Sequence, residues 1–264
     1  MSIRLQFIGG GKMGEALLGG LIADGWAQPD ELAVVEPLAP RRLELYGRYP
    51  QTLVGEAPQP GVDAVLAVKP DDIEAAAGAL SAAGPSRVLS IAAGVRTASL
   101  ERWMGEGVRV VRAMPNTPAL VGCGASAVAP GASASAHDVR WAVEVLASVG
   151  TVEVTSESQL DAVTGLSGSG PAYVFLVAEA LIAAGTAEGL PTEVADGLVR
   201  ETIRGAGELL VRSARAPAAL RADVTSRGGT TERGISVLEQ EGLREAFAAA
   251  VAAATRRSLE LGGA

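Results

Sequence analysis

The sequence predicts an α/β first part, residues 1–157, followed by an all-helical second part, residues 158–264. Three observations predict it. Short apolar runs alternate with helical patterns as far as about Glu157. A glycine-rich turn joins the first apolar run to the first helical pattern. Beyond Glu157 no convincing strand occurs and long amphipathic or wholly apolar helical patterns take over. Strands alternating with helices imply a parallel sheet with crossover helices.

Ile3 to Ile8 alternates apolar Ile3, Leu5 and Phe7 with polar Arg4 and Gln6, which is the period of a strand. Gly9-Gly10-Gly11-Lys12-Met13-Gly14 follows, and Ala16, Leu17, Gly20 and Leu21 then take helical spacing. Leu32 to Glu36 reads as a second strand and Leu38 to Tyr49 as a helix. Ala64 to Val68 is an unbroken apolar run, as expected of a strand buried on both faces. A helix over Asp71 to Ala83 leads to strands at Arg87 to Ile91 and Val108 to Arg112. Ala125 to Ala129 and Thr151 to Val154 complete the strands, with a helix over Ala136 to Ser148 between them.

In the second part, Pro171 to Glu188 carries Val174, Val177, Ala178 and Leu181 at helical spacing and is apolar nearly all round. Such a helix is expected to be buried on all sides. Helices follow over Thr192 to Ser213, Thr231 to Gln240 and Leu243 to Leu261, with Pro217 as a breaker. So much apolar helical surface predicts a homodimer formed through this half.

Composition excludes several functions. The 264 residues carry 22 basic and 30 acidic side chains, a net charge of −8, with only three each of Phe, Trp and Tyr. Nucleic-acid binding is not expected, for want of a basic stripe and stacking surface. One cysteine, Cys123, and one histidine, His137, leave no disulfide framework and no expectation of a metal site. His137 reads as an exposed helix-start residue. The N-terminus lacks signal-peptide architecture, and no run reaches about 18 uninterrupted apolar residues, so a cytoplasmic protein off the membrane is expected. With only two lysines, Lys12 and Lys69, and one histidine, an enzyme of this composition needs a borrowed cofactor.

Gly9-x-Gly11-x-x-Gly14 directly follows a strand and opens a helix, the context of a dinucleotide fingerprint. Gly9 permits the tight turn, Gly11 lets backbone approach the pyrophosphate, and Gly14 lets helix meet strand. Lys12 and Met13 lie within the same loop and helix start, where free N–H groups face the phosphates. The first part is therefore a Rossmann-like dinucleotide-binding domain. Glu36 ends the second strand, 22 residues after Gly14. An acid there binds the ribose hydroxyls of NAD, whereas Arg41 and Arg42 just beyond suit the 2′-phosphate of NADP, so the cofactor is NADPH or NADH. Val68-Lys69-Pro70, Ala93 and Asn116 sit at or beyond the C-terminal ends of further strands, where ligands of open parallel sheets bind.

Five stretches then resemble the pyrroline-5-carboxylate reductases, and the resemblance spans essentially the whole chain. They are Phe7 to Gly14, Ala67 to Pro70, Arg112 to Ala119, Leu166 to Tyr173 and Val224 to Thr231. The first resembles the family's cofactor loop, the second and third its nicotinamide-side loops, and the fourth the start of its dimer helix. The last is similar to its most distinctive segment. The resemblance implies a C-terminal helical dimerisation domain, dimers that assemble to a homodecamer, and NAD(P)H-dependent reduction of L-1-pyrroline-5-carboxylate to L-proline, the last step of proline biosynthesis. It implies that Ser226, Gly229, Thr230 and Thr231, with Pro171, bind substrate, and that Thr231 is catalytic. The chain departs from the family at Arg227, where proline is common, and in the loop between Val54 and Val62, which lacks an asparagine used near the adenosine. Absence of an acceptor glutamate three residues after Thr230 or Thr231 leaves the turn before that helix open to an anion. The rival readings are a β-hydroxy-acid dehydrogenase, disfavoured because no lysine follows Lys69, a reductase of another cyclic imine, and a cofactor sensor without turnover.

Overall fold

The computed structural model describes residues 2–262. Among these residues the first part forms one eight-stranded sheet in the order β3-β2-β1-β4-β5-β6-β7-β8. The chain order is β1 (Leu5–Ile8), α1 (Lys12–Ala23), β2 (Leu32–Val35), α2 (Ala39–Arg48), β3 (Leu53–Gly55), β4 (Ala64–Leu66) and α3 (Ile73–Ala82). Then come β5 (Arg87–Ser90), α4 (Thr97–Met104), β6 (Arg109–Met114), β7 (Gly124–Pro130), α5 (Ala136–Ala147) and β8 (Gly150–Val154).

The alternation along each strand sorts side chains to two faces. Phe7, Val65, Leu89 and Val111 pack with Leu17, Leu21, Val145 and Leu146 of α1 and α5. Their neighbours Ile8, Leu66, Val88 and Val110 pack with Ile73, Leu80, Leu100 and Met104 of α3 and α4. Both faces being covered explains why Ala64 to Val68, around β4, reads as an unbroken apolar run. Burial of each such side chain contributes about 1.5–3 kcal/mol.

Within the sheet part, three features differ from the sequence expectation. The sheet is mixed, because β7 runs antiparallel to β6, with Met114 opposite Ala127. The connection from Pro115 to Cys123 holds only a 3₁₀ turn, Thr117–Val121, too short for the crossover that a parallel partner needs. The edge strand β3 is an addition; its residues are exposed or half-buried, so it lacks the apolar run that marks β4 at the same length. The helix α4 is also an addition, although Leu100 and Met104, spaced i, i+4 and both buried, carried its signal.

Beyond β8 every element is helical: α6 (Leu160–Val163), a π turn (Thr164–Gly168), α7 (Gly170–Ala187), α8 (Thr192–Ser213), α9 (Pro217–Asp223), α10 (Thr230–Gln240) and α11 (Leu243–Gly262). Compactness divides the chain after Ser169, with Gly170–Val251 as a second unit and the segment from Ala252 returned to the first. This division lies later than the change of rhythm at residue 157. α6, the π turn and the end of α11 belong with the sheet because Asp161 accepts a buried 2.6 Å hydrogen bond from the Ser258 hydroxyl.

In the second unit α7 and α8 are neighbours, and small residues let them approach: an ideal Cβ on Gly185 would stand 3.5 Å from the Ala195 Cβ. Contrary to expectation, α7 has no buried residue within the chain. Phe175 and Leu176 are 62% and 65% exposed. The helical stretch Glu157–Ala187 has hydropathy 1.5 and is long and apolar enough to cross a membrane by length and composition. Counting only uninterrupted apolar residues missed this, since Asp161 and Glu179 interrupt the run.

Candidate active site

The sheet reverses its winding between β1 and β4, which flank each other while their chain neighbours lie outward. Loops at the carboxyl ends of such strands form the ligand crevice of an open α/β sheet. The glycine loop occupies this place. Gly9 takes φ +104°, and an ideal Cβ there would stand 2.7 Å from the Ala67 carbonyl oxygen. A Cβ on Gly14 would stand 2.4 Å from the Gly9 carbonyl oxygen, so only glycine lets α1 start this close to β1. Gly10 is confined more softly, since its Cβ would stand 2.5 Å from Cδ1 at the tip of the Leu45 side chain rather than from backbone. Gly11 differs: its Cβ would meet nothing within 4 Å. It is the N-cap of α1, extended and without a side-chain cap, so unoccupied N–H groups and the positive helix end face open space. This cradle fits a pyrophosphate.

Beside it, Ala67, Val68, Ile91, Met114, Asn116 and Gly168, together with Met13, Pro115 and Thr117, line a cavity of about 250 Å³. It is predominantly apolar and suited to a flat ring. Of the sequence candidates, Met13, Val68 and Asn116 meet here. Ile91, Met114 and Gly168 were not singled out as site residues, because their roles depend on which strands become neighbours. Asn116 is buried, and its amide is committed to the fold: its Nδ2 donates to the Ser167 carbonyl at 3.1 Å and its Oδ1 accepts from the Ala125 N–H at 2.8 Å. Lys69 and Pro70 are exposed after β4, Ala93 is half-buried after β5, and Lys12 is exposed in the first turn of α1. Lys12 faces a neighbouring groove with Glu15 and Tyr49.

Glu36 is buried at the end of β2. Its Oε2 accepts from the Gly10 N–H and its Oε1 from the Leu38 N–H, each at 3.0 Å. Arg41 donates through Nε to the Gly10 carbonyl at 2.8 Å and pairs with Glu15 and Glu44. Burial pushes the Glu15 carboxyl up, but hydrogen bonds and charge from Arg41 and Arg48 outweigh it and hold Glu15 below its ordinary range. Arg42 donates to the carbonyls of Glu36 and Pro37, each at 2.8 Å, and pairs with Glu56.

A second buried ionic group supports the loops beyond β5 and β6. Arg112 on β6 is 2% exposed. It donates to Glu157 at 3.3 Å and lies 4.0 Å from Asp161. Glu157 also accepts from the Thr97 N–H at 2.6 Å and from its hydroxyl at 2.8 Å. His137 lies at the opposite, amino-terminal edge of the sheet, exposed in the first turn of α5.

The second unit contains the substrate candidates. Ser226, Thr230 and Thr231 are exposed, and Gly229 and Pro171 are half-buried. Helix α10 starts one residue earlier than expected, at Thr230, with Gly229 as its uncapped, extended N-cap. A Cβ on Gly229 would stand 2.4 Å from the Ser226 Oγ, so glycine lets Ser226 fold over the turn. The earlier start corrects one expectation. Glu232, not Arg233, is the third helical residue, and its carboxylate does return to the turn, accepting from the Gly228 N–H at 2.7 Å. It braces Gly228, whose φ is +73°, while no side chain caps the first turn of α10 itself.

A dinucleotide cradle on a Rossmann-like sheet defines an NAD(P)H-dependent oxidoreductase. Residues 4–94 match the family described as NADP oxidoreductase coenzyme F420-dependent, and residues 157–261 match the pyrroline-5-carboxylate reductase dimerisation domain. The chain is 42% identical to a pyrroline-5-carboxylate reductase of Synechocystis sp. over 99% of each chain. Its fold is similar to that of a Coxiella burnetii pyrroline-5-carboxylate reductase, with TM-score 0.89, 36% identity and 99% of each chain covered. A Plasmodium falciparum pyrroline carboxylate reductase with NADP bound is similar at TM-score 0.83 and 28% identity, over 98% of each chain. The chain belongs to the pyrroline-5-carboxylate reductase family.

Proposed function

We propose that this protein reduces the ring imine of L-1-pyrroline-5-carboxylate to L-proline, the last step of proline biosynthesis, with NADPH or NADH as reductant. The observation that carries the reading is the start of α10, where an uncapped helix N-terminus coincides with the Ser226, Gly229, Thr230 and Thr231 pattern. Amides of Thr230 and Thr231 and the Ser226 hydroxyl hold the substrate carboxylate, since helix N-termini favour anions. Pro171 packs against the ring. The Gly9 to Gly14 loop and Glu36 hold the dinucleotide, with the cavity beside Val68 and Asn116 receiving its nicotinamide. Bound there, the dinucleotide supplies a hydride to the imine carbon.

The residues needed for this are few, because a protonated imine is already an electrophile. Once the carbon accepts hydride, the C=N π pair becomes the amine lone pair on nitrogen. The protein mainly aligns the reactants, and positioning can contribute about 7–11 kcal/mol. The Thr231 hydroxyl hydrogen-bonds the ring nitrogen and steadies it. Thr231→Ala is expected to lower kcat/KM about 10- to 100-fold, the size of one lost charge-assisted hydrogen bond. An assay of nicotinamide absorbance with pyrroline-5-carboxylate checks it, and an unchanged kcat/KM removes Thr231 from the site.

We also propose that the working unit is a homodimer that covers α7, that such dimers assemble to a homodecamer, and that the protein is cytoplasmic and binds neither membrane nor nucleic acid. The exposed Phe175 and Leu176, on a stretch matched by a dimerisation domain, support the dimer. Sedimentation in detergent-free buffer is expected to give an even multiple of the protomer mass. A stable monomer at micromolar concentration, or recovery only with membranes, overturns it.

A further inference from the structure

The geometry points to NADH as the reductant this chain selects, with Glu36 as the residue that excludes the 2′-phosphate of NADPH. This rests on the dinucleotide reading of the glycine loop. A carboxylate only accepts hydrogen bonds. It therefore suits the 2′- and 3′-hydroxyls of a ribose, which donate, and opposes a 2′-phosphate, which carries about −1.5 to −2 charge near neutral pH. Glu36 cannot readily turn aside. It is buried, and each oxygen is held by a backbone N–H, from Gly10 on one side and Leu38 on the other. Each oxygen still has a lone pair to offer.

The two cations that suited a 2′-phosphate are both engaged. Arg41 is shared among the Gly10 carbonyl, Glu15 and Glu44. Arg42 is held by the carbonyls of Glu36 and Pro37 and by Glu56. The two guanidiniums thus stand among four carboxylates: Glu15, Glu36, Glu44 and Glu56. To meet a phosphate fully, Arg42 must turn from the Glu36 and Pro37 carbonyls and from Glu56, whereas a ribose diol needs only the free lone pairs of Glu36. Pro37 and Leu38, next along the chain, add no donor side chain.

The test is equilibrium binding without substrate, read as energy transfer from tryptophan to the reduced nicotinamide. The wild-type protein is expected to bind NADH at least about tenfold more tightly than NADPH, the effect of like charges at partly exposed separation. The ratio should shrink as salt is raised, because screening weakens that repulsion. Glu36→Gln should bring the ratio towards one, mainly by tightening NADPH. Glu56→Gln, at a position whose side chain is 70% exposed and so safe for folding, should tighten NADPH alone by freeing Arg42. Equal or tighter binding of NADPH by the wild-type protein overturns the inference while leaving the dinucleotide site intact. Binding of neither nucleotide overturns the site itself, which keeps the two failures apart.

Discussion

Gly14→Ala is expected to lower affinity for the reduced dinucleotide by about 100-fold, the loss of one or two charge-assisted hydrogen bonds. The added methyl would stand 2.4 Å from the Gly9 carbonyl oxygen, and neither group is a flexible side chain. Relief requires α1 to move off the loop, which carries its N–H groups away from the pyrophosphate. The same overpacking should cost about 1–3 kcal/mol of stability. Gly11→Ala makes the informative contrast. Its methyl meets nothing within 4 Å, so thermal stability should be unchanged while dinucleotide affinity falls, because the methyl projects into the cradle. Titration with reduced dinucleotide and a thermal melt on both variants separate the effects. Wild-type affinity in Gly11→Ala would show that the pyrophosphate lies elsewhere.

Arg112→Met should cost about 3–5 kcal/mol, the usual consequence of removing one partner from a buried ionic group. Glu157 and Asp161 are left without their cation, although Thr97 and Ser258 still donate to them. For a chain of this size the loss corresponds to a fall in Tm of roughly 6–20 °C. A loss below about 1 kcal/mol in denaturant titration would show that the group does not hold the loops in place.

The same group sets an acid limit. Burial pushes Glu157 up, but hydrogen bonds from Thr97 and the charge of Arg112 outweigh it, and its pKa lies below the ordinary 4.5. A carboxyl with a depressed folded pKa stabilises the protein fully above its unfolded value and loses that contribution as pH falls through the folded one. Stability should therefore decline below about pH 4.5, and less steeply in Arg112→Met. A parallel decline in both proteins would exclude Glu157 as a contributor.

Most elements were legible in the sequence because their signals are local. The Phe7 to Gly14 run carries a strand, a turn and a helix start within a few residues, and Thr192 to Ser213 shows helical spacing throughout. β3 was not legible because its residues are exposed or half-buried and so form no apolar run like that of β4, a strand of the same length, and α4 shows only two turns. The candidate site was legible where glycine patterns mark it. Ile91 carried no site signal of its own, and Met114 and Gly168 lay only within longer stretches that resemble the family; that all three line one cavity depends on β5, β6 and the π turn coming together.

The sequence by itself determined the α/β-then-helical order, the glycine cradle and the family pattern at Ser226 to Thr231. Tertiary structure alone decided that β7 runs antiparallel to β6, that Glu232 rather than an open turn braces Gly228, and that α7 lies exposed in the single chain. It also decided that Arg41 and Arg42, equal candidates for a phosphate in the sequence, are already held by carboxylates. The physical reason is range. Backbone periodicity and glycine sterics act between near neighbours in the chain, whereas strand direction, ion pairing and burial depend on which distant segments meet.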